Sequence, residues 1–339
     1  MCLGIIMLLT QQLSSQKTEN NNWKGNRPDG HAPISIMADH YHSKGGLMFS
    51  YRFMSMNMES LLSETSAISN DDAHNLGYRV TPLKMPMQMH MFGAMFAPTS
   101  NITLSAMINL IKNDMDLQMK MTSGMTHHFS TSSSGFGDLK LGMIYKFINK
   151  NKQSVHGNIS LSIPTGSISK KDETPMSSPN EIQLPYPMQI GSGTFDTKLG
   201  ITYLGQKESI SWGSQLQTTI RFGENSDQYA LGNSYGINNW FAVKAKDWIS
   251  ISARLQGVIV GKIDGKNPNL NPMMVTSADT QNSGGTSINA GIGFNLYVPN
   301  GQYKNLRLGF EFAMPLYQKP NGIQLQQKEQ ITVGLQYAL

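Results

Sequence analysis

Residues 288–298 read Ile288-Asn289-Ala290-Gly291-Ile292-Gly293-Phe294-Asn295-Leu296-Tyr297-Val298. Ile288, Ala290, Ile292, Phe294, Leu296 and Val298 fall on one side of an extended chain, and Asn289, Gly291, Gly293 and Asn295 on the other. A two-residue period with one apolar face is the signature of a strand half-buried in something greasy. The pattern recurs at once: Leu306, Leu308, Phe310 and Phe312 alternate with Arg307, Gly309 and Glu311, and Ile331, Val333, Leu335, Tyr337 and Leu339 end the chain. A final strand that runs to the last residue fits an antiparallel transmembrane β-barrel of outer-membrane type, in which the C-terminal strand closes the sheet.

Composition agrees. Of 339 residues only 39% are hydrophobic, and the mean hydropathy is −0.30. Beyond the N-terminus no run approaches the ~18 apolar residues of a membrane helix. A barrel tolerates this balance because half of each strand faces lipid. Glycine is abundant, 32 residues, and many glycines fall inside strands, where they ease curvature and leave room in a lumen. The net charge of +5 is scattered, and no basic cluster with interleaved aromatics points to nucleic acid.

Residues 1–16, MCLGIIMLLTQQLSSQ, read as the apolar core of a signal peptide, although no Lys or Arg precedes it. Cys2, the single cysteine, lies there, so the mature chain is expected to carry no disulfide and no thiolate chemistry. Residues 17–46 are expected to form a periplasmic N-terminal segment, and residues 47–339 the barrel.

Twelve alternating segments are expected near 47–58, 86–97, 101–111, 137–148, 153–163, 194–204, 209–223, 233–245, 248–260, 286–298, 304–314 and 330–339. Connections after even-numbered strands are short, as at Pro98-Thr99-Ser100 and Pro299-Asn300-Gly301, and those after odd-numbered strands are long. That alternation is expected of an outer-membrane barrel with tight periplasmic turns and long outer loops. A soluble sandwich would not segregate its loops in this way. The expected lipid face includes Leu47, Phe49, Tyr51 and Phe53 in the first strand and Ile249, Ile251 and Leu255 in the ninth, with aromatics gathered at strand ends.

Methionine is the second unusual feature. There are 23, fifteen of them between residues 37 and 125. Met54, Met56 and Met58 share a face with Arg52, and Arg facing mid-bilayer lipid costs roughly 2–4 kcal/mol, so these methionines face the lumen. The second strand, Met85-Pro86-Met87-Gln88-Met89-His90-Met91, is readable either way round. The loop expected after the third strand adds Met119, Met121, His127 and His128, and the segment before the first strand holds His31, His40 and His42. Thioether and imidazole donors together suit copper. The candidate metal ligands are therefore His31, His40, His42, Met54, Met56, Met58, Met89, His90, Met91, Met119, Met121, His127 and His128. Flexible apolar filling of the lumen is the other use of such methionines.

The remaining inner wall is basic: Lys140, Lys146, Lys198, Arg221, Lys244, Arg254 and Arg307 against Asp138, Asp196 and Glu311. This repels a bare cation in a narrow pore and favours an anion, a neutral solute or a chelated metal, or else it braces the wall. Enzymatic signatures are weak; His128-Phe129-Ser130 has no obvious orienting carboxylate, and there is no HExxH or phosphate-cradling glycine motif. No catalytic residue is expected.

Several stretches carry a resemblance: His31-Ala32-Pro33-Ile34, Met37-Ala38-Asp39-His40, Met48-Phe49-Ser50-Tyr51-Arg52, Gly135-Phe136-Gly137-Asp138-Leu139, Ile163-Pro164-Thr165-Gly166-Ser167, Leu184-Pro185-Tyr186-Pro187-Met188-Gln189 and Asn269-Leu270-Asn271-Pro272-Met273-Met274. Over most of residues 31–339 the chain resembles bacterial outer-membrane proteins assigned as transporters and related to the barrel family named after the meta-cleavage pathway of phenol degradation. The resemblance implies a β-barrel and supplies no catalytic residues. The expected function is an outer-membrane channel or transporter of a Gram-negative bacterium. Its sharper form is handling of copper or another soft metal. The alternatives are uptake of small hydrophobic or aromatic compounds, and a non-transporting structural or binding barrel. Expected partners are outer-membrane lipid, the barrel-assembly machinery and a small solute or metal ion.

Overall fold

The computed structural model describes residues 22–339. The expected signal peptide, and residues 17–21 of the segment after it, lie outside the described residues. The wall is built from β1 Leu47–Ser63, β2 Val80–Phe96, β3 Ile102–Lys120, a broken stave of β4 Thr126–Phe136 and β5 Leu139–Lys150, then β6 Gln153–Ile163, β7 Phe195–Gln206, β8 Ile210–Phe222, β9 Ser234–Lys246, β10 Ile249–Val260, β11 Gly285–Tyr297, β12 Leu306–Pro320 and β13 Ile323–Ala338. Each stave pairs antiparallel with the next, and β13 returns to β1 in a register that begins Met48↔Ala338 and Phe49↔Tyr337. The result is a closed twelve-stranded barrel of outer-membrane type. Closure leaves no unpaired edge in the hydrocarbon, where each orphaned backbone group costs several kcal/mol.

The outward faces form an apolar belt. Phe49, Leu104, Leu141, Ile251, Leu255 and Leu335 are all exposed, and Phe294 stacks on Phe310 with ring centroids 5.4 Å apart. So large a continuous apolar surface is explained by lipid. Inward faces are polar, and several of their charges brace the wall as expected. Arg254 and Glu311, both almost fully buried, meet at 2.6 Å, and Arg221 pairs with Asp196. Asp138 accepts from the Gly166 and Ser192 amides, each at 2.9 Å.

Several strands outrun their expected ends at the long-loop end of the barrel. β2 starts at Val80 rather than near 86, β3 continues to Lys120, β13 starts at Ile323, and residues 126–136, expected as loop, form β4. The physical reason is that alternation marks a strand only where one face meets lipid. Above the belt the outward face of β3 reads Lys112, Asp114, Asp116 and Gln118, opposite Ser134, Ser132, Ser130 and His128 of β4. Ser130 and Ser132 donate to Asp116 and Asp114 at 2.7 and 2.8 Å. The outward face of that hairpin is polar, while its inward face carries Met115, Leu117, Met119 and Phe129, so the apolar-out pattern that located the other strands is reversed.

The barrel is filled from both ends. At the short-turn end, residues 22–46 lie against the inner wall, so the segment expected to stand in the periplasm is a plug. Arg307 donates to the Pro28 and Arg27 carbonyls at 2.9 and 2.8 Å. Ser250 and Ser211 donate to the Pro28 and Asp29 carbonyls at 2.8 and 2.6 Å. Ser35 donates to Glu311 at 2.7 Å. Ala32 and Ile36 pack with Leu204 and Trp240 of the wall. Ile34 lies over Gly334, where a Cβ would come within 2.6 Å of it, so the wall is glycine where the plug approaches most closely. At the long-loop end, the segment 164–194 turns inward. Leu184 and Met188 pack with Met85, Met115, Leu117, Met119, Val275 and Ala278. Gly191 presses on Gly166 so closely that a Cβ on it would sit 2.3 Å from the Gly166 oxygen.

A methionine-lined chamber between two plugs

Register settles which way the second strand faces. Met54 lies opposite Met89, Met56 opposite Met87, Met58 opposite Met85 and Arg52 opposite Met91. Directly paired residues of antiparallel strands share a face, so all these methionines line the lumen beside Arg52. Gln88, His90 and Phe92 turn outward. His90 is therefore not among the lumen ligands. Its Nδ1 lies 2.8 Å from the Tyr51 hydroxyl on the outer face, and its ring packs against Phe53. A bulge between Pro82 and Lys84 absorbs the irregularity at the other end of the strand.

The other expected ligands scatter. Met119 is buried in the apolar cluster of the outer plug, and Met121 is exposed at the adjoining turn. His127 and His128 are exposed residues of β4. The thioethers of β1 and β2 thus form a continuous inner stripe, but the imidazoles of β2 and β4 do not join it. His31, His40 and His42 do come together, in the inner plug. Ring centroids are 4.1 Å apart for His31 and His40, and 5.0 Å for His40 and His42.

Asp39 stands between His31 and His40. Its Oδ1 lies 2.8 Å from His40 Nδ1, its Oδ2 lies 3.3 Å from His31 Nδ1, and Oδ2 also accepts from the Ala32 amide at 3.2 Å. Burial lowers the His31 pKa well below the ordinary histidine range; the Arg307 and His40 charges act the same way, against the bond to Asp39. Burial also pushes His42 down to about 3. For Asp39 burial acts upward, but His40 and His31 beside it hold the carboxyl well below its usual range.

Between the plugs lies a cavity of about 200 Å³. Met89, Met91, Met95 and Met107 line one side, and Lys140, Lys198, Gln215 and Gln217 the other, with Arg52 between. Among the described residues neither Lys140 nor Lys198 enters an ion pair, unlike Arg221 and Arg254. A second cavity, of about 230 Å³, sits in the outer plug among Leu117, Met119, Phe129, Ile182, Leu184 and Met274 and is almost wholly apolar. A vestibule of about 740 Å³ opens at the short-turn end beside Trp23, His31, His42 and Arg307. Sequence reading missed the outer plug. Its one signal was Leu184, Tyr186 and Met188 alternating inside a long loop, where solvated chain is usually polar.

No protein-family model matches this sequence, and no curated protein matches it. Among solved structures the chain is similar to the COG4313 outer membrane channel from Pseudomonas putida F1, with a TM-score of 0.62 at 13% identity, over 90% of this chain and 99% of that chain. The likeness is one of fold, a closed twelve-stranded β-barrel of outer-membrane type. A FadL homologue from Pseudomonas aeruginosa is a more distant match, with a TM-score of 0.42 at 8% identity over 92% of both chains.

Proposed function

We propose that the protein is a channel in the outer membrane of a Gram-negative bacterium for small apolar or aromatic solutes, above all single-ring compounds bearing one acidic group. The observation that carries this reading is the central cavity. Thioethers on one side offer a soft, adaptable surface for a ring. Lys140 and Lys198 on the other side have no carboxylate partner and would receive an anionic group. A cavity of ~150 Å³ holds benzene, so about 200 Å³ suits a substituted ring. The apolar outer cavity provides a first station on the way in. Passage requires one or both plugs to shift, and insertion relies on outer-membrane lipid and the barrel-assembly machinery. Nothing in this role calls for catalysis.

The test is solute-specific flux through the purified barrel in liposomes. Benzoate should pass faster than benzylammonium, a cation of similar size. Replacing Lys140 and Lys198 together by Met should reduce benzoate flux while leaving neutral phenol unchanged. Equal flux of benzoate and benzylammonium in the parent would refute the reading. Transfer of copper along the thioether stripe is the second reading, favoured by the adjacency of Met54, Met56, Met87 and Met89.

A further inference from the structure

The His31–Asp39–His40 cluster in the inner plug has three properties that an ordinary hydrogen-bonded carboxylate does not require. The first is convergence. One donor atom from each of the three side chains lies within 4.8 Å of the others. Bonds of ~2.0–2.2 Å in a tetrahedral zinc site set donors roughly 3.3–3.5 Å apart, so the widest pair need close by no more than about 1.5 Å around an ion.

The second is unused capacity. His40 is buried, and its Nε2 has no hydrogen-bond partner among the described residues; the same holds for His42 Nε2. A buried polar atom left unpaired costs about 1–3 kcal/mol, and two in one small cluster call for an explanation.

The third is construction. Ala38 holds a left-handed backbone, φ 54°, which turns Asp39 back towards His31. Two wall side chains fix that turn: Gln215 donates to the Met37 carbonyl at 3.0 Å, and His156 Nε2 to the Ala38 carbonyl at 2.9 Å. The cluster also has an entrance, because His31, His40 and His42 border the vestibule at the short-turn end.

We propose that His31, Asp39 and His40 bind a divalent transition-metal ion of borderline hardness, with zinc(II) as its type, and that the ion clasps residues 31–40 closed in the lumen. Two imidazoles and one carboxylate suit zinc or copper(II) rather than the soft copper(I) that the thioether stripe would attract, so this site is chemically distinct from that stripe. His42, the next imidazole, or a water from the vestibule completes the shell. Arg307 is an opposing charge beside His31, and its guanidinium is already held by the Pro28 and Arg27 carbonyls. The ion ties the start of the 31–40 segment to its end, and so favours the plugged barrel.

The experiment is equilibrium dialysis of the purified, chelator-treated barrel against zinc(II) alone, with bound zinc read by elemental analysis. It measures no transport, so its outcome is separate from that of the channel reading. One ion per barrel is expected. His31→Asn and His40→Asn, each first shown to fold by heat-modifiable migration in a gel, should lower affinity by at least about 10–100-fold, the range lost even when an outer-shell partner is removed. Asp39→Asn should do the same, but it also disturbs the turn, so the histidine variants decide. A barrel with His127→Gln and His128→Gln should bind as the parent does. Absence of stoichiometric zinc in the parent would overturn the proposal. So would parental affinity in both histidine variants.

Discussion

Arg307→Gln should unlatch the inner plug without harming the barrel. Arg307 is 3% exposed, and its two terminal nitrogens hold the carbonyls of Pro28 and Arg27 at 2.9 and 2.8 Å. Hydrogen bonds from a charged donor contribute about 1.5–3 kcal/mol each, and a neutral one about 1 kcal/mol. Glutamine is shorter and retains one neutral bond at most, so the plug loses about 3 kcal/mol of docking free energy. At 1.4 kcal/mol per tenfold, the ratio of undocked to docked plug should rise on the order of 100-fold. Arg307→Lys keeps the charge but not the two-pronged donor, and should fall between the two. The assay is planar-bilayer recording of purified barrel: brief, rare openings in the parent should become on the order of 100-fold more populated in Arg307→Gln. Deleting residues 22–44 sets the level of a barrel without its inner plug. If the deletion conducts and Arg307→Gln remains as closed as the parent, Arg307 does not hold the plug. If the deletion conducts no more than the parent, the inner plug does not limit conduction and the reasoning fails.

Three further outcomes are expected. Phe310→Lys places a charge on the outer face at a stacked aromatic pair and should block or severely slow assembly, at a cost of roughly 2–4 kcal/mol at mid-bilayer, whereas Gln217→Lys on the inner face should fold; heat-modifiable gel migration compares the two, and equal tolerance would mean that the faces are reversed. Changing Met54, Met56 and Met58 together to Leu keeps volume and removes sulfur, so thermal stability should change by less than about 1.5 kcal/mol per site. If copper(I) binding and solute flux are also unchanged, the methionines are lumen filling and the copper reading falls. An impermeant thiol label on intact cells should reach a cysteine placed at Met273, exposed in the long-loop plug region, and miss one placed at Lys246, at a short turn; the reverse pattern would invert the topology.

The sequence alone determined the barrel, its strand order and most of its two faces. Lipid is the reason: a strand between hydrocarbon and lumen must alternate, and the Ile288–Val298 and Leu306–Phe312 segments record that demand residue by residue. Where lipid stops, that record stops too, and so the β3–β4 hairpin, polar outward and apolar only where it meets the outer plug, read as loop. The second strand alternates between methionine and other residues on both possible assignments; only its register against β1, Met54 opposite Met89, turned His90 outward. Tertiary structure alone decided the plugs. Residues 22–46 carry no periodicity because they are held by single contacts from many staves, Ser211, Ser250, Arg307 and Glu311 among them, each far away in the chain. The three imidazoles were visible as residues, but their meeting around Asp39 depends on a left-handed turn at Ala38 that two distant wall side chains hold in place, and no local pattern encodes a contact of that range.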